Sequence, residues 1–268
     1  MKLVLMEIGQ KFLMQKENRI IKENEISIHE FENGYILSNN SKSTFYKKSL
    51  FSNKNIPNEI EFIDLNKIKI SFISFNNLSN LIPSVFFNKN SLQSHFQNKK
   101  LIDYKFKTYF DKIKSNEIVN IYMLKENDLI MNFLSIKKIS IISHYKTILL
   151  NILIDSNKKF LKKNIIYINL QIDSFDIFYF IDNKFNISNS FRINNTEEFL
   201  YYFFYFTEQF NLNSKSMSIV FLGKFKTFEK YYKGIRDFQN DITFLSNSTD
   251  NKDYIDNHPS PFLSNFYS

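Results

Sequence analysis

His29, His95, His144 and His258 are the four histidines a metal site would have to draw on. No two of them stand at metal-ligand spacing, so each reads as an ordinary surface or edge histidine. Asp173 and Asp176 suggest a carboxylate pair, but three residues apart across a turn they read as turn and edge residues of neighbouring strands. The chain has no cysteine, which excludes a thiolate zinc site, a cysteine nucleophile and a disulfide framework. Four scattered glycines cannot build a Walker A loop or a Gly-x-Gly-x-x-Gly turn. Serine is plentiful, yet nothing marks the nucleophile elbow of a hydrolase triad. The expectation is no catalytic residue and no metal site.

Composition explains part of this poverty. Of 268 residues, 37 are Ile, 35 Asn, 32 Lys, 31 Phe and 15 Tyr, and there is no alanine at all. Those five residues have the most AT-rich codons, so the composition points to an AT-rich genome as much as to selection on the protein. The same bias supplies lysine, and it accounts for the net charge of +8 better than a nucleic-acid partner does. The densest basic clusters, Lys137-Lys138 and Lys162-Lys163, are only pairs, and the aromatics sit in apolar runs instead of alternating with cations as a single-strand binder requires. At 43% hydrophobic residues the chain can bury a sizeable core. Its longest apolar run, Phe199 to Phe206, falls short of the roughly 18–20 residues of a membrane span. Met1 to Glu7 meets an acid too early for a signal peptide. A soluble cytoplasmic protein with no membrane span is expected.

The elements that must position any site are clearest from residue 164 onward. In Asn164 to Asp173, Ile166, Ile168, Leu170 and Ile172 point one way and Tyr167, Asn169, Gln171 and Asp173 the other. Phe175 to Ile181 is nearly all apolar, as in a strand covered on both faces. Asp182-Asn183-Lys184 makes a tight turn into a strand whose alternation, with Phe185, Ile187, Phe191 and Ile193 inward, marks a half-exposed edge. Asn194 or Asn195 caps a helix with Glu197 and Glu198 in its first turn. Because Phe199 to Phe206 is apolar all round, that helix is expected to be buried on more than one side. Met217 to Leu222 is a buried strand ending at Gly223. A second helix carries Phe228, Tyr231, Tyr232, Ile235 and Phe238, and Ile242 to Leu245 forms a last strand. Three strands feeding helix, strand, helix and strand is the order of a ribonuclease H-like domain.

The first half reads as a degenerate copy. Glu25 to Phe31 and Tyr35 to Ser38 flank Asn33-Gly34, a strong hairpin signal, and Phe45 to Phe51 supplies the third strand. Further strands are expected around Ile68, Ile70 and Phe72, at Ile118 to Leu124 and at Lys138 to Ser143. Helices are expected around Leu129, Ile130, Phe133 and Leu134 and over Lys146 to Ile154, and residues 76–116 hold an insertion. The predicted organisation is an N-terminal extension (1–20), a degenerate ribonuclease H-like domain (21–160), a second such domain (161–247) and a C-terminal tail (248–268) that docks through Phe262 and Phe266.

Several stretches carry a resemblance. Ile168-Asn-Leu-Gln-Ile-Asp-Ser-Phe-Asp-Ile-Phe, Phe191, Thr196-Glu-Glu-Phe-Leu-Tyr-Tyr, and Phe72-Ile-Ser followed by Leu81-Ile-Pro-Ser-Val-Phe-Phe are similar to the Bacteroidetes family of unknown function DUF3822. The resemblance covers roughly residues 20–265. It implies an α/β fold of two ribonuclease H-like domains in an actin-like ATPase arrangement, without an established activity. That superfamily binds nucleotide between its domains, each first hairpin offering an Asp for a magnesium-bound water and a Gly for close approach to phosphate. Matched residue by residue, these positions fall on Asn169 and Gln171 in the second domain and on Ser27 and His29 in the first. The superfamily's Gly-Gly survives as Gly223 followed by Lys224. The interdomain-cleft candidates are therefore Ser27, Asn169, Gln171 and Gly223. A pseudo-ATPase used as a scaffold for a protein partner is the leading expectation, with no cofactor. The alternatives are a nucleotide-binding ATPase or kinase with divergent loops, in which Lys224 substitutes for a lost group, and an RNA- or ribosome-associated factor.

Overall fold

A computed structural model of the chain describes residues 12–13, 25–32, 34–38, 43–47, 69–96, 106–125, 139–157, 163–212, 215–239, 242–246, 258 and 260–264. The chain divides into two compact units: Arg19–Asp155 with Phe266–Ser268, here the N-terminal unit, and Met1–Asn18 with Ser156–Asn265, the C-terminal unit. The first described strand, β1 (Phe12–Leu13), belongs to the C-terminal unit.

In the N-terminal unit, β2 (Glu25–Glu30), β3 (Gly34–Ser38) and β4 (Ser43–Lys47) form an antiparallel meander. The Phe31 N–H donates to the Gly34 carbonyl (2.8 Å) and closes the first turn. Then come β5 (Lys69–Ser74), β6 (Ser79–Pro83), β7 (Phe106–Lys112), β8 (Ile118–Lys125), β9 (Ile139–His144) and helix α1 (Tyr145–Asn157). The main sheet runs β4-β3-β2-β5-β9, with β5 parallel to both β2 and β9. The strand expected at Ile118 to Leu124 is not part of it. As β8, it is the centre of a separate antiparallel sheet, β6-β8-β7. Strand β9 pairs directly with β5, so the insertion between those two strands includes β8 and reaches beyond residue 116. Strand periodicity is the same in a main and an inserted sheet, so only pairing could assign it. The helix expected around Leu129 to Leu134, the end of the expected third strand at Lys48 to Phe51, and Phe266 lie outside the described residues.

The C-terminal unit continues with β10 (Asn164–Leu170), β11 (Ser174–Ile181), β12 (Lys184–Arg192), α2 (Thr196–Gln209), β13 (Met217–Leu222), α3 (Glu229–Arg236) and β14 (Ile242–Ser246). Its sheet runs β1-β14-β13-β10-β11-β12. The β11–β12 turn places Asp182 (φ 48°) and Asn183 (φ 65°) in the left-handed region, as a two-residue type I′ hairpin demands. Strand β12 is at the sheet edge. Numbered within its own domain, each main sheet has the strand order 3-2-1-4-5, the C-terminal one extended by β1.

Local chemistry sets the start of α2. The Asn195 side chain accepts from the Glu198 N–H (2.8 Å), and the Glu198 carboxylate accepts from the Asn194 N–H (2.8 Å), a reciprocal cap that satisfies two orphan donors. Phe199, Phe203 and Phe206 bury against Phe175, Ile177 and Tyr231 in one core. The expectation that this all-apolar helix is buried on several sides is corrected: Tyr201 is 65% and Tyr205 49% exposed, their rings stacked on each other at 6.4 Å. The flanks are half-covered, Tyr202 on Phe191 (4.9 Å) and Phe204 against Phe238 (4.7 Å). Tyrosine can remain outside because its hydroxyl stays wet while its ring covers neighbouring apolar surface.

The alternation of β10 marks two buried faces. Ile166 and Ile168 join the core under α2 and α3, and Tyr167 and Asn169 on the opposite face are equally buried. Tyr167 satisfies its hydroxyl by donating to Asn157 Oδ1 (2.8 Å), and burial raises its pKa. In the C-terminal segment, Phe262 and Leu263 are buried too.

Candidate functional site: the carboxyl edges of the two sheets

Strands β10 and β13 are parallel, with Ile168 opposite Phe221. Their carboxyl ends therefore emerge side by side, where open α/β sheets bind ligands, and Asn169, Gln171 and Gly223 all lie at this edge. The β10–β11 hairpin is tight. The Gln171 N–H donates to the Ser174 carbonyl (2.9 Å), leaving Ile172 and Asp173 at an exposed tip.

Asp176 organises this edge. It stands opposite Asn169 on one side and Ser190 on the other, so three adjacent strands place one polar side chain each in a row. Asn169 Nδ2 (2.9 Å) and Gln171 Nε2 (3.0 Å) both donate to Asp176 Oδ2, and Ser190 Oγ donates to Oδ1. Asp176 is 1% exposed, hence neither a turn nor an edge residue. The expectation for the Asp173–Asp176 pair is corrected accordingly, because only Asp173 is at the tip. A two-residue loop at 172–173 makes residue 176 the partner of residue 169, so hairpin register could have revealed the cluster.

A magnesium–nucleotide group does not fit these residues. The Gln171 side chain folds inward onto Asp176, into space that a glycine would leave open. The Asp176 carboxylate opposes a phosphate brought near it. Asn169 Oδ1 is buried without a hydrogen-bond partner, and the carboxylate beside it, Asp176, is itself buried and already accepts from Asn169, Gln171 and Ser190. No group of three or more His, Cys, Asp or Glu able to hold a metal occurs among the described residues.

Gly223 is committed to the fold. Its φ is +77°, and a Cβ there would lie 2.3 Å from the Phe225 ring. Its N–H donates to the Leu245 carbonyl (2.8 Å), and its carbonyl accepts from the Tyr232 hydroxyl (3.3 Å). The same hydroxyl accepts from the Phe225 N–H (3.1 Å), and burial pushes its pKa up to about 12. The Gly223 N–H is thus spent within the sheet. Lys224 rests its ammonium over the Phe244 ring at 5.6 Å.

In the N-terminal unit the matching edge is aromatic. Ser27 and His29 on β2 stand beside Ser71 and Ile73 of β5. Both are fully buried, and Ser27 Oγ has no hydrogen-bond partner. Rings then pack along the carboxyl ends of β2, β5 and β9. His29 meets Phe75 at 5.4 Å, Phe31 stacks on Phe75 at 4.6 Å, and Phe75 stacks on Tyr145 at 5.3 Å. His144 continues the row between Tyr145 (4.8 Å) and Tyr122 (5.2 Å). The expectation of surface or edge histidines is corrected here, since His29, His144 and His258 are all buried. His29 and His144 pack their rings against aromatic neighbours, and His258 Nδ1 accepts from the Ser260 N–H (3.0 Å). Spacing along the chain could not reveal either arrangement.

A second cluster that the sequence did not disclose ties the inserted sheet to this edge. Asp111 on β7 accepts from Ser143 Oγ (2.9 Å), the His144 N–H (3.0 Å), Thr147 Oγ1 (2.8 Å) and the Tyr122 hydroxyl (3.1 Å). A carboxylate from another strand thereby caps the amino end of α1. Burial raises the Asp111 pKa in spite of these donors. His144 Nδ1 accepts from the Lys146 N–H (3.2 Å), which leaves Nε2 to donate to the Asn76 carbonyl (2.9 Å). Burial, with Lys146 nearby, lowers the His144 pKa to about 3, so the ring is neutral near pH 7.

The repeated strand order defines the class: two ribonuclease H-like domains in the actin-like ATPase fold. A Bacteroides thetaiotaomicron protein with that fold and unknown function superposes with a TM-score of 0.65 at 16% identity, covering 84% of this chain and 92% of that one. The PilM–PilN type IV pilus biogenesis complex gives a TM-score of 0.55 at 9% identity, covering 91% of this chain and 97% of that one. No curated protein matches. Residues 62–242 match the family described as protein of unknown function (DUF3822), and the chain belongs to that family. No helix among the described residues is long and apolar enough to cross a membrane.

Proposed function

We propose that this protein is a non-hydrolysing scaffold that uses the actin-like fold to bind a protein partner. The observation that carries the reading is the Asn169–Gln171–Asp176 network, which occupies the hairpin where a phosphate would have to approach the backbone. Phosphoryl transfer depends on positioned cations and donors, and this edge presents a carboxylate with its donors already engaged. The aromatic row at the other edge supports the same reading. So does PilM, a fold neighbour solved in complex with PilN. A cytoplasmic setting belongs to this proposal.

The test is steady-state phosphate release by the purified full chain with magnesium-ATP, beside an Asn169→Ala variant. No release above the protein-free background is expected from either. Turnover of about 1 per second or more, the ordinary enzyme range, that the substitution abolishes would replace the scaffold with an ATPase.

A further inference from the structure

Strand β12 is nine residues long, the longest of the described strands, and no described strand pairs with its outer side. An open sheet edge normally carries a device that refuses a further strand, such as shortness, a charge, a proline or a covering group. The other described edges each have one. Strand β1 has two residues, β4 ends in Lys47, β6 ends in Pro83, and β7 bears Lys107, Asp111 and Lys112. On β9 the His144 N–H is taken by Asp111. Between Lys184 and Arg192, β12 has no charged residue and no proline. Its irregularity lies near the Lys184 end. The partners pass from Tyr179–Ile187 to Phe180–Phe185, so Asn186 is an extra residue and 187–192 is the regular stretch.

The flank of α2 beside this edge is aromatic. Phe191 of β12 stacks on Tyr202, Tyr202 meets Tyr201 edge to face at 5.3 Å, and Tyr201 stacks on Tyr205. The rings run from the edge strand outward to the two exposed tyrosines. The side chains of β12 then select the occupant. A two-fold axis normal to the sheet pairs only residues on the same face, which alternate along the strand. Centred on Asn189, it sets Ile187 opposite Phe191 of a second copy, twice by symmetry, with Ser188 opposite Ser190 on the other face. Ile187 and Phe191 already pack against the core under α2, so the new apolar pairs extend that layer. Arg192 falls opposite Asn186 and Lys184 lies beyond the paired stretch, so no like charges meet. Centred on Ser188, the axis would oppose Lys184 to Arg192 at both ends. Centred on Ser190, it would face Phe191 with Asn189.

We infer that the chain forms a two-fold dimer in which β12 pairs antiparallel with β12 of a second copy, centred on Asn189. The two six-stranded sheets become one, and the tyrosine flanks of the two α2 helices meet over the junction. The inference goes beyond the scaffold reading and does not depend on it. Sedimentation of the purified full chain should show monomer passing to dimer between about 1 and 100 μM. Asn189 is exposed, so its variants should keep the wild-type Tm, which circular dichroism checks. Asn189→Lys and Asn189→Asp each bring like charges face to face on the axis, and each alone should raise the dimer Kd by about tenfold or more. An equimolar mixture of the two should recover dimers, because opposite charges then face each other. In a chain without cysteine, Asn189→Cys should form a disulfide-linked dimer on oxidation, since opposed strand residues stand at disulfide distance. Asn186→Cys, away from the axis, should not.

A wild-type chain that stays monomeric throughout that range would overturn the inference. Dimers that both charge variants leave intact, or a mixture that recovers no dimer, would place the contact elsewhere and overturn it as well. Phosphate release does not involve this edge. A monomer without ATP turnover therefore removes the dimer alone, while ATP turnover removes the scaffold reading.

Discussion

The two main sheets share a strand order and close their carboxyl edges by opposite chemistry. In the C-terminal unit the edge is polar, a row of Asn169, Asp176 and Ser190 with Gln171 folded onto the carboxylate. In the N-terminal unit the edge is aromatic, Phe31, Phe75 and Tyr145 stacked in sequence with His29 and His144 beside them. Neither solution needs the other. A fold retains its topology because strand pairing and the buried faces supply most of its stability, whereas a ligand edge is constrained only by the ligand. Here hydrogen bonds fill one edge and ring packing fills the other.

The largest expected effect comes from breaking the aromatic edge. Phe75→Ala removes the ring at the centre of the stack and should cost about 3–5 kcal/mol, as buried Phe truncations do, measured by denaturant titration of the full chain. A loss below about 1 kcal/mol would mean that the row does not stabilise that edge.

Breaking the polar edge should cost less and should depend on charge. Asp176→Ala leaves two buried donors, Asn169 Nδ2 and Gln171 Nε2, and the half-buried Ser190 hydroxyl without their acceptor and should lower stability by about 2–3 kcal/mol. Asp176→Asn keeps the shape and one acceptor oxygen, so it should recover part of that loss. An Asp176→Asn variant as stable as wild type would show that the charge of the carboxylate is not what holds Gln171 inward.

The third test sharpens the comparison through pH. The folded pKa of His144 is lowered to about 3 from 6.5, so the unfolded chain binds the extra proton between those values. The contribution is fully present above about pH 6.5 and is lost as pH falls toward 3, with a slope of about 1 kcal/mol per pH unit. Asp111 acts in the opposite sense at the acid end. Its raised pKa favours folding at low pH and loses that contribution as pH rises through the folded value. Comparing wild type with His144→Asn isolates the histidine. The variant should have the shallower loss between about pH 6 and pH 4, and coincident slopes would contradict the buried neutral ring.

Much of the architecture was legible because it is written in short-range patterns. The meander from Asn164, the left-handed pair Asp182-Asn183, the cap at Asn195 and the buried run Met217 to Leu222 each depend on neighbours within a few residues. Family resemblance then assigned the fold, and it directed attention to Ser27, Asn169, Gln171 and Gly223. What those residues do was not legible. Gly223 reads as a surviving phosphate-loop glycine, yet its N–H belongs to Leu245 and its positive φ serves a turn against Phe225.

Tertiary structure alone decided which polar side chains became interior. The sequence by itself determined the order of elements in the C-terminal half, because hydrophobic period and turn chemistry act locally. It did not determine that the polar side of β10 is buried, that Asp176 gathers three donors from neighbouring strands, or that β8 belongs to an inserted sheet. In a chain so rich in Ile, Phe, Tyr and Asn, apolar and polar residues occur on nearly every face, so composition carries little contrast between inside and outside. Tyr201 and Phe203 are two residues apart on one helix and end on opposite sides of it. The contrast returns only when strands pair and helices dock, since burial is a property of the neighbours a residue acquires and those neighbours come from distant parts of the chain.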